Sequence, residues 1–175
     1  MQVELVLTII ANDRPGLVET VAQSIVDHSG NWVDSSLSRL GGSFAGIVRV
    51  SVDEVNAGAL EKKLMELGDK GIEISIRRGE ISAAASGIKA RLELLGQDHV
   101  GIVLQVTRLL AAQGVNVEDI ETSVFEASMS GERMFKAEAD IRLPTGKSLD
   151  ELGAALESLA QDLMVEIILN DDEAS

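Results

Sequence analysis

Residues 3–40 read VELVLTIIANDRPGLVETVAQSIVDHSGNWVDSSLSRL, and residues 88–125 read IKARLELLGQDHVGIVLQVTRLLAAQGVNVEDIETSVF. A shift of 85 residues lays the first stretch on the second without a gap. Identical residues then coincide at turn and strand positions: Asp13 with Asp98, Gly16 with Gly101, Asn31 with Asn116, and Ser38 with Ser123. A constant shift that aligns turn residues in this way indicates an internal duplication.

The duplication predicts two domains. Beyond the first stretch the shift grows to 91, which pairs Phe44 with Phe135, and then to 93, which pairs Ile72 with Val165. The second copy therefore has a longer hairpin loop. We place the first domain at residues 1–79, a linker of small residues at 80–87, the second domain at 88–171 and a tail at 172–175.

Hydrophobic periodicity gives each copy the same order of elements. In the first copy, apolar residues alternate with other residues from Val3 to Ile9, which predicts a strand, and Leu17, Val21 and Ile25 form a helical stripe. Two further strands flank a glycine hairpin at residues 41–42, and a second helix and a fourth strand follow. The order βαββαβ predicts two ferredoxin-like α+β domains, each an antiparallel sheet with both helices on one face.

Some strands carry apolar residues on the face that the helices do not cover. These residues are Val6, Ile10, Ile47 and Ile168. Apolar surface of this kind needs cover, and we expect it from the sister copy or from a second chain.

Charge and aromatic content exclude direct binding to nucleic acid. Fifteen basic and 29 acidic side chains give a net charge of −14, with the larger excess in the second copy. Binding to a phosphate backbone needs a basic face, and binding to single-stranded nucleic acid needs aromatic side chains on which the bases stack. This chain has few aromatic residues. The acidic excess is typical of a solubility surface, with a basic protein partner as the alternative.

The sequence shows no catalytic set, metal site or cofactor motif. It contains no Cys and only two His, His28 and His99, which are not at metal-binding spacing. Gly146-Lys147-Ser148 lacks the upstream glycine of a phosphate loop, and we interpret Ser148 with Glu151 as a helix cap. The acidic residues from Glu118 to Glu121 are expected to alternate between opposite faces as solvated surface. We therefore predict a protein that is not an enzyme and has no cofactor.

No uncharged run is long enough to span a membrane, and Glu4 interrupts any secretory signal. We therefore expect a cytoplasmic protein with no membrane partner.

The turn before the first helix, Asp13-Arg14-Pro15-Gly16-Leu17, is the strongest candidate for a ligand site. A glycine there turns backbone N–H groups outward, and a helix N-terminus attracts an anion such as a carboxylate. A tight turn with Asp13 as the helix cap is the alternative. Asn31 begins the second strand, where we expect it to lie close to the turn and contact the ligand, although it could instead bond its own backbone.

These residues resemble the ACT domain, through Asp13-Arg14-Pro15-Gly16-Leu17-Val18, Asn31-Trp32-Val33-Asp34-Ser35 and Leu40-Gly41. Two such modules in one chain are similar to the family of tandem ACT-domain repressors of the glycine cleavage system. The resemblance implies that the two domains pair, with their helices side by side and their sheets joined. It also implies that a small amino acid such as glycine binds at an interface between ACT domains. Repression would then act through binding to an activator protein rather than to DNA. The candidate ligand-binding residues are Asn12, Asp13, Arg14, Gly16, Leu17 and Asn31, with Asp98, His99, Gly101, Ile102 and Asn116 in the second copy.

Asp13 departs from this pattern, since some amino-acid-binding members carry Asn at that position. A carboxylate there suits the ammonium group of a ligand and repels its carboxylate. Three functions are then open: an amino-acid sensor that represses transcription through a protein partner, the regulatory subunit of an amino-acid metabolic enzyme, and an interaction module without a ligand. A homodimer fits each of them.

Overall fold

The structure is a computed structural model that describes residues 1–79 and 85–171. The chain divides into two compact units, residues 1–83 and 84–175, and each is described by itself. The predicted tail at 172–175 and most of the predicted linker lie outside the described residues, so these boundaries stay predictions.

The N-terminal unit follows the predicted order. Its elements are β1 (Gln2–Asn12), α1 (Leu17–Asp27), β2 (Asn31–Leu40), β3 (Ser43–Asp53), α2 (Glu54–Glu66), a 3-10 turn (Leu67–Lys70) and β4 (Ile72–Gly79). They form a four-stranded antiparallel sheet in the order β2-β3-β1-β4. Gly41 and Gly42 both have positive φ, as the predicted two-residue hairpin requires.

The C-terminal unit repeats this order. Its elements are β5 (Ile88–Gln97), α3 (Ile102–Ala112), β6 (Asn116–Glu126), β7 (Arg133–Leu143), α4 (Leu149–Leu163) and β8 (Val165–Asp171). The strand order is β6-β7-β5-β8, again antiparallel. Phe135 pairs with Gly96 as Phe44 pairs with Ala11, so the register confirms the alignment of the two copies.

Each core lies between one face of the sheet and the two helices. In the N-terminal unit, Leu5 and Leu7 of β1 and Leu60 and Leu64 of α2 are fully buried. Each such side chain contributes about 1.5–3 kcal/mol relative to an exposed one. The fold class is therefore confirmed: two ferredoxin-like α+β domains with helices on one face of an antiparallel sheet.

The opposite face of each sheet carries the apolar residues expected there. Ile10, Ile47 and Ile168 are 49%, 53% and 43% exposed. Among the described residues, no helix has the length and apolar character needed to cross a membrane.

Candidate functional site

The first candidate turn is fixed by the hairpin beside it. The Asp13 backbone N–H donates to the Gly42 carbonyl oxygen at 2.9 Å. The Arg39 guanidinium, just before the hairpin, lies 2.6 Å from the Asp13 carboxylate. Arg39 therefore neutralises the carboxylate that was expected to repel a ligand's carboxylate.

The second candidate turn has the same construction. The Asp98 N–H donates to the Arg133 carbonyl oxygen at 2.8 Å, and the Arg133 guanidinium lies 3.3 Å from the Asp98 carboxylate. Both aspartates are thus paired with an arginine from the hairpin next to the turn. Sequence reasoning missed both arginines, because these contacts depend on how the hairpin folds back over the turn.

A side chain from each turn also reaches the end of the unit's second helical segment. Arg14 donates to the carbonyl oxygen of Lys70, and Nε2 of His99 lies 3.2 Å from the carbonyl oxygen of Leu163. Both carbonyls directly precede a residue with positive φ that ends the segment, Gly71 in one unit and Met164 in the other. Arg14 and His99 therefore perform the same tethering, but only Arg14 carries a permanent charge.

The helix after each turn begins without a side-chain cap. Gly16 and Gly101 are the N-cap residues, with φ of 85° and 95°, and no side chain accepts from the first turn of α1 or α3. The alternative in which Asp13 caps α1 is not found, because Gly16 in the left-handed conformation, rather than an aspartate, adjoins the helix. The first N–H groups of a helix lack intrahelical acceptors, so both turns offer donors to an anion.

Two of the candidate residues point away from solvent. Leu17 and Ile102, the first residues of α1 and α3, are 6% and 2% exposed and pack in the cores. Only their backbone N–H groups are placed for a ligand. The side chains of Asn12, Asp13, Arg14 and His99 are exposed at the turns or, for Asp13, partly covered by its ion pair.

Asn31 and Asn116 do not lie beside the turn of their own unit, so that expectation is wrong. Asn31 pairs with Ser51, which pairs with Glu4 at the start of β1, whereas the turn follows Asn12 at its end. Eight residues of β1 separate Glu4 from Asn12, so Asn31 lies roughly 26 Å along the sheet from the turn. Asn116 and Lys89 both pair with Arg142, so Asn116 likewise lies near the start of β5 and far from the second turn. The reason is that β2 runs parallel to β1 with β3 between them, so both strands start at the same end of the sheet.

A polar groove of about 510 Å³ borders the first turn. Its lining includes Arg14, Gly16 and Thr20 on one side and Lys63 and Lys70 on the other. Three basic and two acidic side chains line this groove, the acidic ones being Glu19 and Asp27. Under the start of each first helix there is also a small apolar cavity, of about 10 Å³ beside Leu17 and about 20 Å³ beside Ile102.

The acidic residues at the start of β6 share one face of the sheet, contrary to expectation. The register shifts between Val117 and Asp119, and this bulge breaks the alternation. Glu118 accepts from Nε of Arg142 at 2.5 Å, and this hydrogen bond lowers the pKa of Glu118. Within residues 1–79 and 85–171, no group of three or more His, Asp or Glu side chains is arranged to hold a metal ion.

The geometry defines a tandem pair of ferredoxin-like domains, each with an uncapped helix start behind a fixed turn. Comparison with known families matches the ACT domain twice, over residues 4–76 and residues 90–157. The chain belongs to the ACT domain family and carries two ACT domains in tandem.

Solved structures share the whole architecture. An unknown protein from Galdieria sulphuraria has a TM-score of 0.82 and 28% identity, covering 98% of this chain and 99% of that one. A protein provisionally named a glycine cleavage system transcriptional repressor has a TM-score of 0.71 and 21% identity, with 97% of both chains covered. At that identity the second likeness shows the fold alone.

Single-domain relatives match about half of the chain. A UPF0237 protein from Methanopyrus kandleri is 29% identical over 82 residues, which are 45% of this chain and 91% of the relative. The tandem arrangement thus distinguishes this chain from that relative.

Proposed function

We propose that this tandem ACT-domain protein is a non-catalytic regulator that binds a small amino acid at its βα turns. The observation that carries the proposal is the uncapped helix start behind Gly16, repeated behind Gly101, with the neighbouring aspartate already neutralised by an arginine. Free N–H groups in that setting suit the carboxylate of an amino acid.

The first turn is the stronger carboxylate site of the two. Arg14, Lys63 and Lys70 line the groove beside it together with two acidic side chains, so the groove keeps a small excess of positive charge. The second turn has His99 and Leu163 at the corresponding contact. Because a charged donor strengthens a hydrogen bond to a carboxylate, the first copy binds more tightly.

We take the ligand to be a small amino acid such as glycine, because the family resemblance implies one. The apolar cavities of about 10 Å³ and 20 Å³ are lined by core residues and have room for little more than one water molecule. The side chain of an amino acid bound at the first turn would therefore lie in the polar groove.

The asparagines complete the site from a different ACT domain. Asn31 lies roughly 26 Å along the sheet from its own turn. When two such domains pair through antiparallel edge strands, the start of one edge strand meets the end of the other, which is level with the turn. A ligand that touches both groups therefore takes the turn from one domain and the asparagine from another.

The regulated target is a protein. The net charge of −14 opposes direct contact with DNA. The family resemblance implies repression through a transcriptional activator, which we place in the cytoplasm, and the structure provisionally named as a glycine cleavage repressor shares the fold over the whole chain. Bound amino acid changes the affinity for that partner by about 5–150-fold, the usual range of coupling between two sites.

Titration calorimetry with each of the twenty amino acids tests the ligand claim. We expect saturable binding of glycine or alanine that weakens in Asn31→Ala. Asn170→Ala, which removes another exposed asparagine, on β8, is the matched control and leaves binding unchanged. Absence of binding by all twenty would falsify the sensor.

Affinity capture with and without glycine tests the partner claim. A captured transcription factor whose yield changes with glycine supports the claim, whereas a co-purified metabolic enzyme or a constant yield contradicts it.

A further inference from the structure

The sheet face opposite α1 and α2 in the N-terminal unit is unusually apolar for exposed surface. We define this open face by the residues that alternate away from the core on the two central strands: Glu4, Val6, Thr8 and Ile10 of β1, and Ala45, Ile47, Arg49 and Ser51 of β3. Ile10 is 49% exposed and Ile47 is 53% exposed. Of these eight residues only Glu4 and Arg49 are charged, and Val6, Thr8, Ile10, Ala45 and Ile47 form an uncharged patch.

The corresponding face of the C-terminal unit is more highly charged, although Leu95 and Ile168 are also exposed on it. The alignment of the copies places charged residues at four central positions: Arg91 for Val6, Glu93 for Thr8, Lys136 for Ala45 and Glu138 for Ile47.

These charged residues form a connected network. Arg91 bonds Glu138 at 2.8 Å and Asp140 at 3.2 Å, and Lys136 also pairs with Glu138. Since the backbone and register are the same, the fold does not require an apolar centre. The difference indicates that the N-terminal open face is covered and that the C-terminal one is solvated.

The charges on the open face permit a second copy of this chain to cover it. Arg49 pairs with Asp34 at 2.6 Å and with Glu4 at 3.5 Å, and the rest of the face carries Glu73 and Arg77 on β4. Three carboxylates and two guanidiniums leave this face nearly neutral, while the whole chain has a net charge of −14. Two copies therefore meet here with little of the repulsion that other surfaces impose.

The open face is large enough for a specific dimer. Four strands about 4.8 Å apart and about ten residues long give a face of roughly 600 Å². Two such faces together bury roughly 1,200 Å², the lower end of the range for specific protein interfaces.

We propose that the open face is a two-fold interface between two copies of this chain, packed sheet on sheet around Ile10 and Ile47. A two-fold axis brings each patch against itself, so the apolar centre is self-complementary. The proposal does not rest on amino-acid binding, because α1 and α2 lie on the other face of the sheet; Asn31 lies at the edge of the open face, beside Ser51.

The test transplants residues from one copy into the other. Ala45→Lys with Ile47→Glu reproduces the Lys136 and Glu138 pair of the C-terminal unit and leaves the net charge unchanged. Because the C-terminal sheet folds with these residues, we expect the variant to keep its circular dichroism spectrum. Val55→Lys with Met65→Glu is the control, since both residues are exposed on α2.

Sedimentation equilibrium at tens of micromolar gives the outcome. We expect the wild type and the control to have an even number of chains, and the transplant variant to have half the wild-type mass with unchanged glycine calorimetry. A monomeric wild type, or a transplant variant of wild-type mass, overturns the proposal. If that variant does not fold, Ile10→Lys replaces it, because a lysine stem packs on the sheet while its charge stays in water.

Discussion

Replacing Gly16 by alanine tests whether the candidate turn depends on left-handed backbone. Gly16 has φ of 85°, and a Cβ built there meets no atom within 4 Å. The cost is therefore conformational and not a clash. A non-glycine residue in this region costs about 1–2 kcal/mol, and the stiffer unfolded chain offsets about 0.4–1 kcal/mol of that. We expect a net loss of about 1 kcal/mol in the free energy of unfolding.

Gly58→Ala is the control, because it makes the same substitution and is expected to change the free energy of unfolding in the opposite direction. Gly58 lies inside α2, again with nothing within 4 Å of a built Cβ, and it has no positive φ. Alanine is favoured over glycine in a helix by about 0.5–1 kcal/mol, so this variant should be more stable than the wild type. Urea unfolding followed by circular dichroism measures both free energies.

The sign difference between these two variants is the decisive result. For a domain of this size, 1 kcal/mol moves the melting temperature by about 4–8 °C, which thermal unfolding resolves easily. If Gly16→Ala were as stable as the wild type, or if both variants moved in the same direction, the described turn conformation would be wrong. Gly16→Ala should also weaken amino-acid binding, because the helix N–H groups change direction.

Two further predictions concern charge. Arg14→Gln should weaken amino-acid binding, measured by calorimetry, about tenfold or more, because it removes a permanent charge from the groove. His99→Gln should weaken binding less. The reverse order would contradict the ranking of the two turns. Lys136 and then Arg91 hold the pKa of Glu138 below its ordinary value of 4.5, and Arg49 likewise lowers the pKa of Asp34. A carboxylate whose pKa is lowered in the folded state stabilises the fold above its unfolded pKa, and that contribution is lost as the pH falls through the folded pKa. Because Lys136 lowers the pKa of Glu138, Lys136→Met should raise the titration midpoint of Glu138 measured by carboxyl NMR. An unchanged midpoint would refute the pairing.

The elements and their order could be predicted because local periodicity decides them. Leu5, Leu7 and Ile9 alternate in the sequence and are buried in the structure, and the glycine pair at 41–42 forms the hairpin it predicts. The duplication made the prediction stronger, because each pattern occurs twice.

The site could be predicted only in part, because its other contacts join distant residues. The turn and the helix start are local, and the sequence predicted both. The ion pair of Arg39 with Asp13 depends on hairpin geometry, and the level of Asn31 depends on a register that passes through three strands. The bulge after Val117 is likewise invisible to a strict period of two, which is why Glu118 was expected on the wrong face.

Backbone amide NMR with saturating glycine, or with whichever amino acid calorimetry selects, tests the central claim most directly. We expect the largest shifts at the amides from Gly16 to Thr20, smaller ones from Gly101 to Gln105, and a shift of the Asn31 side-chain amide. Shifts confined to the α2 or α4 helices, or no shifts at all under saturating ligand, would contradict a carboxylate bound at the helix starts.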